Sequence, residues 1–327
     1  MPSDYLLWVT VSNVTAVVGF FASIFFGLTL ILLNTFVVKR VNETYKYFMN
    51  VFTCQGMVFA TLEVATVPNL LSYNAGYVFF LMENSFGLSK NVLKKLLAIH
   101  SGILCSTMSM LAVQYLYRYW AVFELQNTTK MKYFEGWKII FWFLYSAILG
   151  SLWISGLLLY ADPAEDSIQY FREKISVRYK RNIEELPSLI LMPYHPIDGS
   201  IRWSAWGLTF NVTITSSIQY GVMTVCGWSM YTKMDETIKT MSKNTKQLHQ
   251  QLFKVLLAAP TIFLLTPLLF IIYLPFFKLE LSIPTGTLLC SFTIYVAIDS
   301  IIVMTVVTEY RKIAAGFTHK IPKVVDK

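Results

Sequence analysis

The chain has 327 residues, 55% of them apolar and 14% charged, with a mean hydropathy of +0.52 and a formal charge of +8. Soluble domains carry about 25% charged residues, so these values exclude an ordinary soluble fold and point to a bilayer. A basic balance can signal nucleic-acid binding, but here the positive residues cluster in short loops between apolar runs, and no nucleic-acid partner is expected.

A hydrocarbon core of about 30 Å requires about 20 mostly apolar residues per helix. Runs of that kind predict seven spanning helices, at 14–38, 47–73, 92–123, 137–160, 203–231, 251–277 and 283–307. The segment 1–13 has no Lys or Arg and no small-residue cleavage site, and the apolar run after it is too long for a signal-peptide core, so the first helix is expected to be retained. The second run contains Glu63, Pro68 and Asn69, the third begins with Lys94 and Lys95 and holds His100, and the sixth carries Pro260, Pro267 and Pro275. Spanning helices tolerate proline when neighbours re-satisfy the freed carbonyls, so kinks are expected there. All four cysteines, Cys54, Cys105, Cys226 and Cys290, fall inside these runs, which leaves no disulfide framework and no metal-ligand spacing.

Most loops are short; 161–202 is long. Asp162-Pro163-Ala164-Glu165 reads as a helix start, with Asp as cap, Pro in the first turn and Glu reaching back. Ile168, Phe171, Ile175, Tyr179, Ile183 and Leu186 then recur at steps of three and four. That stripe fits a helix packed on the bundle rim, or a lid that shapes a ligand entrance. Met192 to Gly199 is turn chemistry. In the tail, 308–327, Tyr310, Ile313, Ala314 and Phe317 share one helical face suited to a membrane surface.

The insertion machinery retains positive flanks in the cytoplasm. Lys39, Arg40 and Lys46 follow helix one; Arg118, Lys130, Lys132 and Lys138 lie between three and four. Lys233, Lys239, Lys243, Lys246 and Lys254 lie between five and six, and Arg311, Lys312, Lys320, Lys323 and Lys327 are in the tail. The short loops opposite hold Lys90, Lys94, Lys95 and Lys278. The expectation is therefore an extracellular N-terminus at 1–13, a seven-transmembrane domain over 14–307 and a cytoplasmic tail. The sequon at Asn13 would then lie outside, close to helix one.

Ionisable groups at membrane depth cost about 2.5 to 3.5 kcal/mol each and so face protein or water. Glu63 and His100 are both expected roughly 15 Å below the outer surface, where they fit either a ligand pocket or a structural hydrogen bond between helices. Asp299, in the inner half of helix seven, fits a polar switch or a static partner for Asn34 or Asn50. Arg118, within Tyr117-Arg118-Tyr119-Trp120, fits a clasp at the inner face or a positive-inside anchor among interfacial aromatics. No catalytic motif of the metalloprotease, serine-hydrolase or Walker type is present, so neither an enzyme nor a cofactor is expected.

Several stretches, taken in order, carry a resemblance. They are Thr44-Tyr-Lys-Tyr-Phe-Met49, Pro68 with Leu71-Ser-Tyr73, Leu111 to Trp120, Gln250-Gln-Leu-Phe-Lys-Val-Leu256, and Ala297-Ile-Asp299 followed by Glu309-Tyr-Arg311. The chain resembles the Str-type seven-transmembrane chemoreceptors of nematodes, G-protein-coupled receptors distantly similar to rhodopsin-like ones. The resemblance implies an all-α, rhodopsin-like bundle of seven helices in the plasma membrane, in the sensory cilium of a chemosensory neuron. A small odorant or pheromone-like ligand would bind among the helices, with Glu63, His100, Trp206, Phe210, Tyr273, Phe292 and Tyr295 as candidates. A heterotrimeric G protein would meet Arg118, Tyr119, Asp299 and Lys254, the loop 124–136 and the basic segment 232–254. Two departures matter: Tyr117 replaces the acidic neighbour usual beside the arginine, and Ser300 stands where a helix-seven proline is expected. The helix-three disulfide of rhodopsin-like receptors cannot form either, because 161–202 lacks cysteine, and the amphipathic helix is the candidate to position that loop. The rival reading is a ligand-gated channel or proton-coupled transporter, although no inverted repeat is evident.

Overall fold

The computed structural model describes residues 5–38, 43–82, 87–123, 128–161, 163–237, 258–284 and 286–306. Lys254 and the tail face at Tyr310, Ile313, Ala314 and Phe317 lie outside the described residues, as does Asp162.

Seven long helices are present among the described residues, with an eighth, shorter one in the long loop. They are α1 (Tyr5–Leu32, prolonged by a π turn Leu33–Val37), α2 (Glu43–Thr66), α3 (Lys90–Phe123), α4 (Ile139–Tyr160), α5 (Glu165–Tyr179), α6 (Trp203–Thr237), α7 (Ala258–Phe277) and α8 (Gly286–Val306). All but α5 and α6 are long and apolar enough to cross a membrane. Although α6 is long enough, Thr209, Asn211, Thr213, Thr215, Ser216, Ser217 and Gln219 lower its hydropathy. Bonds inside the bundle absorb several of these groups. Gln219 Nε2 donates to Ser109 Oγ at 2.7 Å, and Thr215 Oγ1 accepts from Trp153 Nε1 at 2.6 Å.

The most buried helix is α3, which packs on α2, α4 and α6, while α1 packs on α2 and α8. At the α3–α4 crossing a Cβ on Gly102 would stand 2.9 Å from the Gly150 carbonyl, so only glycine permits this approach. Proline shapes α7: a π turn at Thr261–Leu265 separates Pro260 from Pro267, and the helix tightens to 3-10 form at Leu274–Phe277, which contains Pro275. Thr266 Oγ1 returns a hydrogen bond to the Thr261 carbonyl at 2.9 Å. The expected irregularity of α7 is therefore present.

The second helix is shorter than the run 47–73 suggested. It ends at Thr66, and the rest of the run is strand β1 (Pro68–Asn74). Proline removes a helical donor and restricts the preceding residue, which fixes the break; Val67 bridges it at φ +43. β1 turns at Asn74, φ +45, into β2 (Gly76–Leu81). β3 (Ser188–Leu191) and β4 (Leu279–Pro284) complete an antiparallel sheet in the order β3-β2-β1-β4. The all-α expectation thus holds for the membrane bundle, while a four-stranded sheet caps one end of it.

Both faces of β1, β2 and β3 are largely buried. Leu70, Phe79, Leu81, Leu189 and Leu191 join the bundle core, whereas Leu71, Val78, Phe80 and Ile190 meet Phe171, Ile175 and Tyr179 of α5. The stripe read from the sequence is this buried face, continued by Ile183 and Leu186. The long loop is held without a disulfide, through α5, through β3 and through an ion cluster. Asp166 is paired with Arg202, His195 Nε2 lies 3.0 Å from Asp166 Oδ2, and Arg202 Nη1 donates to Ser167 Oγ at 2.7 Å. Nearby, the Ser200 amide and hydroxyl hold the Asp198 carboxyl below its usual range.

Candidate functional site

Beneath the sheet lies a cavity of about 80 Å³. Leu70, Tyr77, Phe79 and Leu189 form its roof, and α3, α4, α6, α7 and α8 supply walls through Leu104, Trp153, Leu208, Ile271 and Phe292. Its lining is almost wholly apolar, with Ser101 and Tyr77 as its hydroxyl-bearing members. Such a surface binds by excluding water and selects by shape.

Glu63 and His100 meet directly. His100 Nε2 lies 2.6 Å from Glu63 Oε2, and each residue is 2% exposed. The helix break puts Glu63 in the last turn of α2, yet the sheet above keeps the pair buried. The imidazole lies against Phe59 at 4.6 Å and Phe79 at 6.3 Å between ring centres, and Phe79 in turn lines the cavity. The pair therefore backs the cavity roof rather than facing into it. His100 Nδ1 is buried with no hydrogen-bond partner among the described residues.

The aromatic candidates divide. Phe292 lines the cavity. Tyr273 lines a neighbouring space of about 100 Å³ between α6 and α7 that shares Leu268 and Ile272 with it, and Tyr273 Oη lies 2.7 Å from Thr213 Oγ1. Tyr295 is buried outside the cavity lining and donates to Asp299 Oδ1 at 3.3 Å. Trp206 and Phe210 point out of the bundle: Phe210 is 69% exposed, and Trp206, 38% exposed, packs edge-on against Phe276. Neither lines the cavity. The inward face of α6 carries Leu208 and Val212, and residues two apart on a helix do not share a face.

At the opposite end of the bundle, Arg118 is held by a residue the sequence reading did not single out. Its Nε donates to Tyr45 Oη at 2.9 Å, its guanidinium stands 5.5 Å from the Tyr45 ring centre, and Nη2 reaches Gln114 Oε1 at 3.5 Å. Tyr45 also stacks on Tyr117 at 5.6 Å. Where the acidic neighbour is missing, one tyrosine from the start of α2 thus engages both members of the Tyr117-Arg118 pair. Arg118 Nη1 is buried with no hydrogen-bond partner among the described residues. Tyr119 is half-buried at the edge of the core. Asp299 is 3% exposed, and Ser300 bonds back to the Val296 carbonyl, so α8 continues unbroken where a proline hinge is absent. In the loop after α3, Phe134 is fully buried against Tyr117, Trp142 and Phe48.

These features describe a membrane receptor: long helices around an apolar cavity at one end and a buried arginine at the other. The family model described as serpentine type 7TM GPCR chemoreceptor Str matches residues 12–315. The chain belongs to this family of seven-transmembrane chemoreceptors. It is similar to the G-protein coupled receptor str-33 of Caenorhabditis elegans, at 31% identity over 84% of this chain and 81% of the relative. It also resembles the serpentine receptor class r-10 of the same nematode, at 24% identity over 95% of this chain and 92% of the relative. The r-10 protein of Caenorhabditis briggsae is 26% identical over 95% of this chain and 91% of its own length. The family is one of receptors, not of enzymes.

Proposed function

We propose that this receptor binds a small, mostly apolar odorant or pheromone-like molecule in the cavity under the sheet and passes the signal to a heterotrimeric G protein at the Arg118 end. The sheet end would then be extracellular, with 1–13 outside, and the tail 308–327 cytoplasmic; the positive loops support that orientation. The plasma membrane of a sensory cilium fits this role.

The observation that carries the reading is the cavity itself, apolar, roofed by Phe79 and walled by five helices, so that a ligand touches elements that can move relative to one another. A ligand shifts a conformational equilibrium only by its differential affinity for the two states. Movement of α7, irregular at each of its prolines, would alter the cavity wall at Leu268, Ile271 and Ile272 and the inner ends of the helices together. Arg118, released from Tyr45, would be free to pair with backbone carbonyls of the G protein.

A reporter assay for calcium or cAMP tests this. In cells challenged with a panel of short alcohols, ketones and esters, Leu104→Trp should abolish the response by filling the cavity. Arg118→Ala should abolish signalling while leaving surface expression normal. An unchanged response in either variant would refute the role assigned to that residue. Ligand-evoked current without a G protein would favour the channel reading.

A further inference from the structure

A second cavity, of about 460 Å³, opens beside the sheet and shares no lining residue with the first. It lies between the start of α1 (Leu6, Val9, Thr10, Asn13), the α2–β1 junction (Thr66, Val67), Met82, and the end of α5 with the two residues after it (Tyr179, Lys180, Arg181). Lys180 adopts a left-handed φ of +52 and its amide caps α5 by donating to the Ser176 carbonyl at 3.0 Å. That turn brings Lys180 and Arg181 side by side on the rim of the cleft.

The electrostatics of the cleft are one-sided. Among the described residues no carboxylate lines the cleft, and neither Lys180 nor Arg181 forms an ion pair. Arg178, one turn back and outside the lining, is stacked over Tyr5 and Tyr73 at 5.0 and 5.1 Å, and its Nη1 is buried with no hydrogen-bond partner among the described residues. A basic residue at a helix C-terminus complements the dipole. That accounts for one such charge, but not for a half-polar hollow with two of them and no carboxylate among its described lining residues. Asn13 adds a side-chain carbonyl with no hydrogen-bond partner among the described residues, an acceptor suited to a hydroxyl or N–H donor.

The wall also contains a strained residue. Val67 is β-branched, precedes a proline and sits at φ +43, a combination that costs energy and is characteristic of ligand clamps and switch segments. Its amide donates to the Glu63 carbonyl at 2.8 Å, so the strained turn continues directly into the buried Glu63–His100 pair.

We propose that this cleft is a second binding site, for a small anionic group, a carboxylate or phosphate, on a molecule that also carries a hydrogen-bond donor. The anion pairs with Lys180 and Arg181 at the rim, and the donor reaches Asn13. The site is independent of the ligand assigned to the apolar cavity. An anionic lipid headgroup and a free metabolite offer the same chemistry, and the experiment separates them.

Full-length receptor in nanodiscs of phosphatidylcholine would be melted with increasing 3-hydroxyhexanoate, or with hexane-1,3-diol as its uncharged counterpart. The acid should raise the melting temperature saturably and the diol should not. The double substitution Lys180→Ala with Arg181→Ala should weaken the effect by roughly tenfold or more, the loss of at least one charge-assisted bond. Thr10→Trp, which fills the hollow without altering charge, should abolish it. A rise that appears only when phosphatidylserine is added to the nanodisc, and is lost in both variants, supports the site with lipid as its occupant. No stabilisation by acid or by phosphatidylserine overturns the proposal, as does an effect that survives the double substitution. Stabilisation that survives Thr10→Trp but not the loss of charge overturns the cleft as its location.

Discussion

A carboxylate and an imidazole 2.6 Å apart in a nearly dry interior satisfy each other, and neither is cheap to remove. His100→Ala leaves Glu63 buried without its partner and removes the ring packed on Phe59, so a stability loss of at least about 1 to 3 kcal/mol is expected, read as a lower melting temperature in nanodiscs. Glu63→Gln keeps an acceptor at the same place and should cost less; an equal loss in the two variants would contradict the pairing. At the other end, Tyr45→Phe removes the hydroxyl that accepts from Arg118 Nε. With Arg118 less firmly held, basal signalling should rise without ligand, and a factor of up to about ten corresponds to 1.4 kcal/mol of released restraint. Basal signalling at the wild-type level would show that Tyr45 does not restrain Arg118. Glu63, His100, Arg118 and Asp299 were legible in the sequence because ionisable residues stand out in apolar runs. Tyr45 was not, since one tyrosine in a chain with 19 of them carries no mark of its partner. The aromatic character of Trp206 and Phe210 drew attention, while the residues of α6 that line the cavity are Leu208 and Val212.

Among the elements, the sheet is what the sequence concealed. A half-exposed strand alternates apolar and polar residues, but β1, β2 and β3 are covered by the bundle on one face and by α5 on the other. β2 and β3 therefore read as nearly continuous apolar runs, and β1, in which Leu70, Leu71 and Tyr73 alternate with Asn69, Ser72 and Asn74 too irregularly to mark a strand, resembled the last turns of a spanning helix when joined to α2. Pro68 was the available signal, read as a kink where it was a terminus. The stripe of α5 was legible because that helix is covered on one side only. The lid depends on Gly76, where a Cβ would stand 2.8 Å from Met192 Cγ and 2.9 Å from the Leu191 carbonyl. Gly76→Val should force β3 away from β2 and cost about 1 to 3 kcal/mol through overpacking. The expected outcome is a lower melting temperature together with weakened ligand potency; full potency would mean that the roof does not shape the binding cavity.

In the whole molecule, the candidate sites sit toward the two ends, and the middle is sealed by apolar packing and by buried bonds such as Gln219 to Ser109. At one end a lid of sheet and helix closes over a small apolar cavity; at the other a tyrosine clasps the only arginine of α3. Between them lie the buried helix α3 and the proline-broken helix α7. That arrangement suits a receptor, in which a modest ligand energy changes how the helices pack, better than a carrier, which needs a polar path through the bundle. The most direct measurement is nucleotide exchange on a purified heterotrimeric G protein by the receptor in nanodiscs, with and without an activating odorant, for the wild type and for Leu104→Trp. Odorant-stimulated exchange by the wild type, and none by the filled variant at equal receptor density, is expected. Odorant-stimulated exchange that persists undiminished with the cavity filled would contradict the cavity's role.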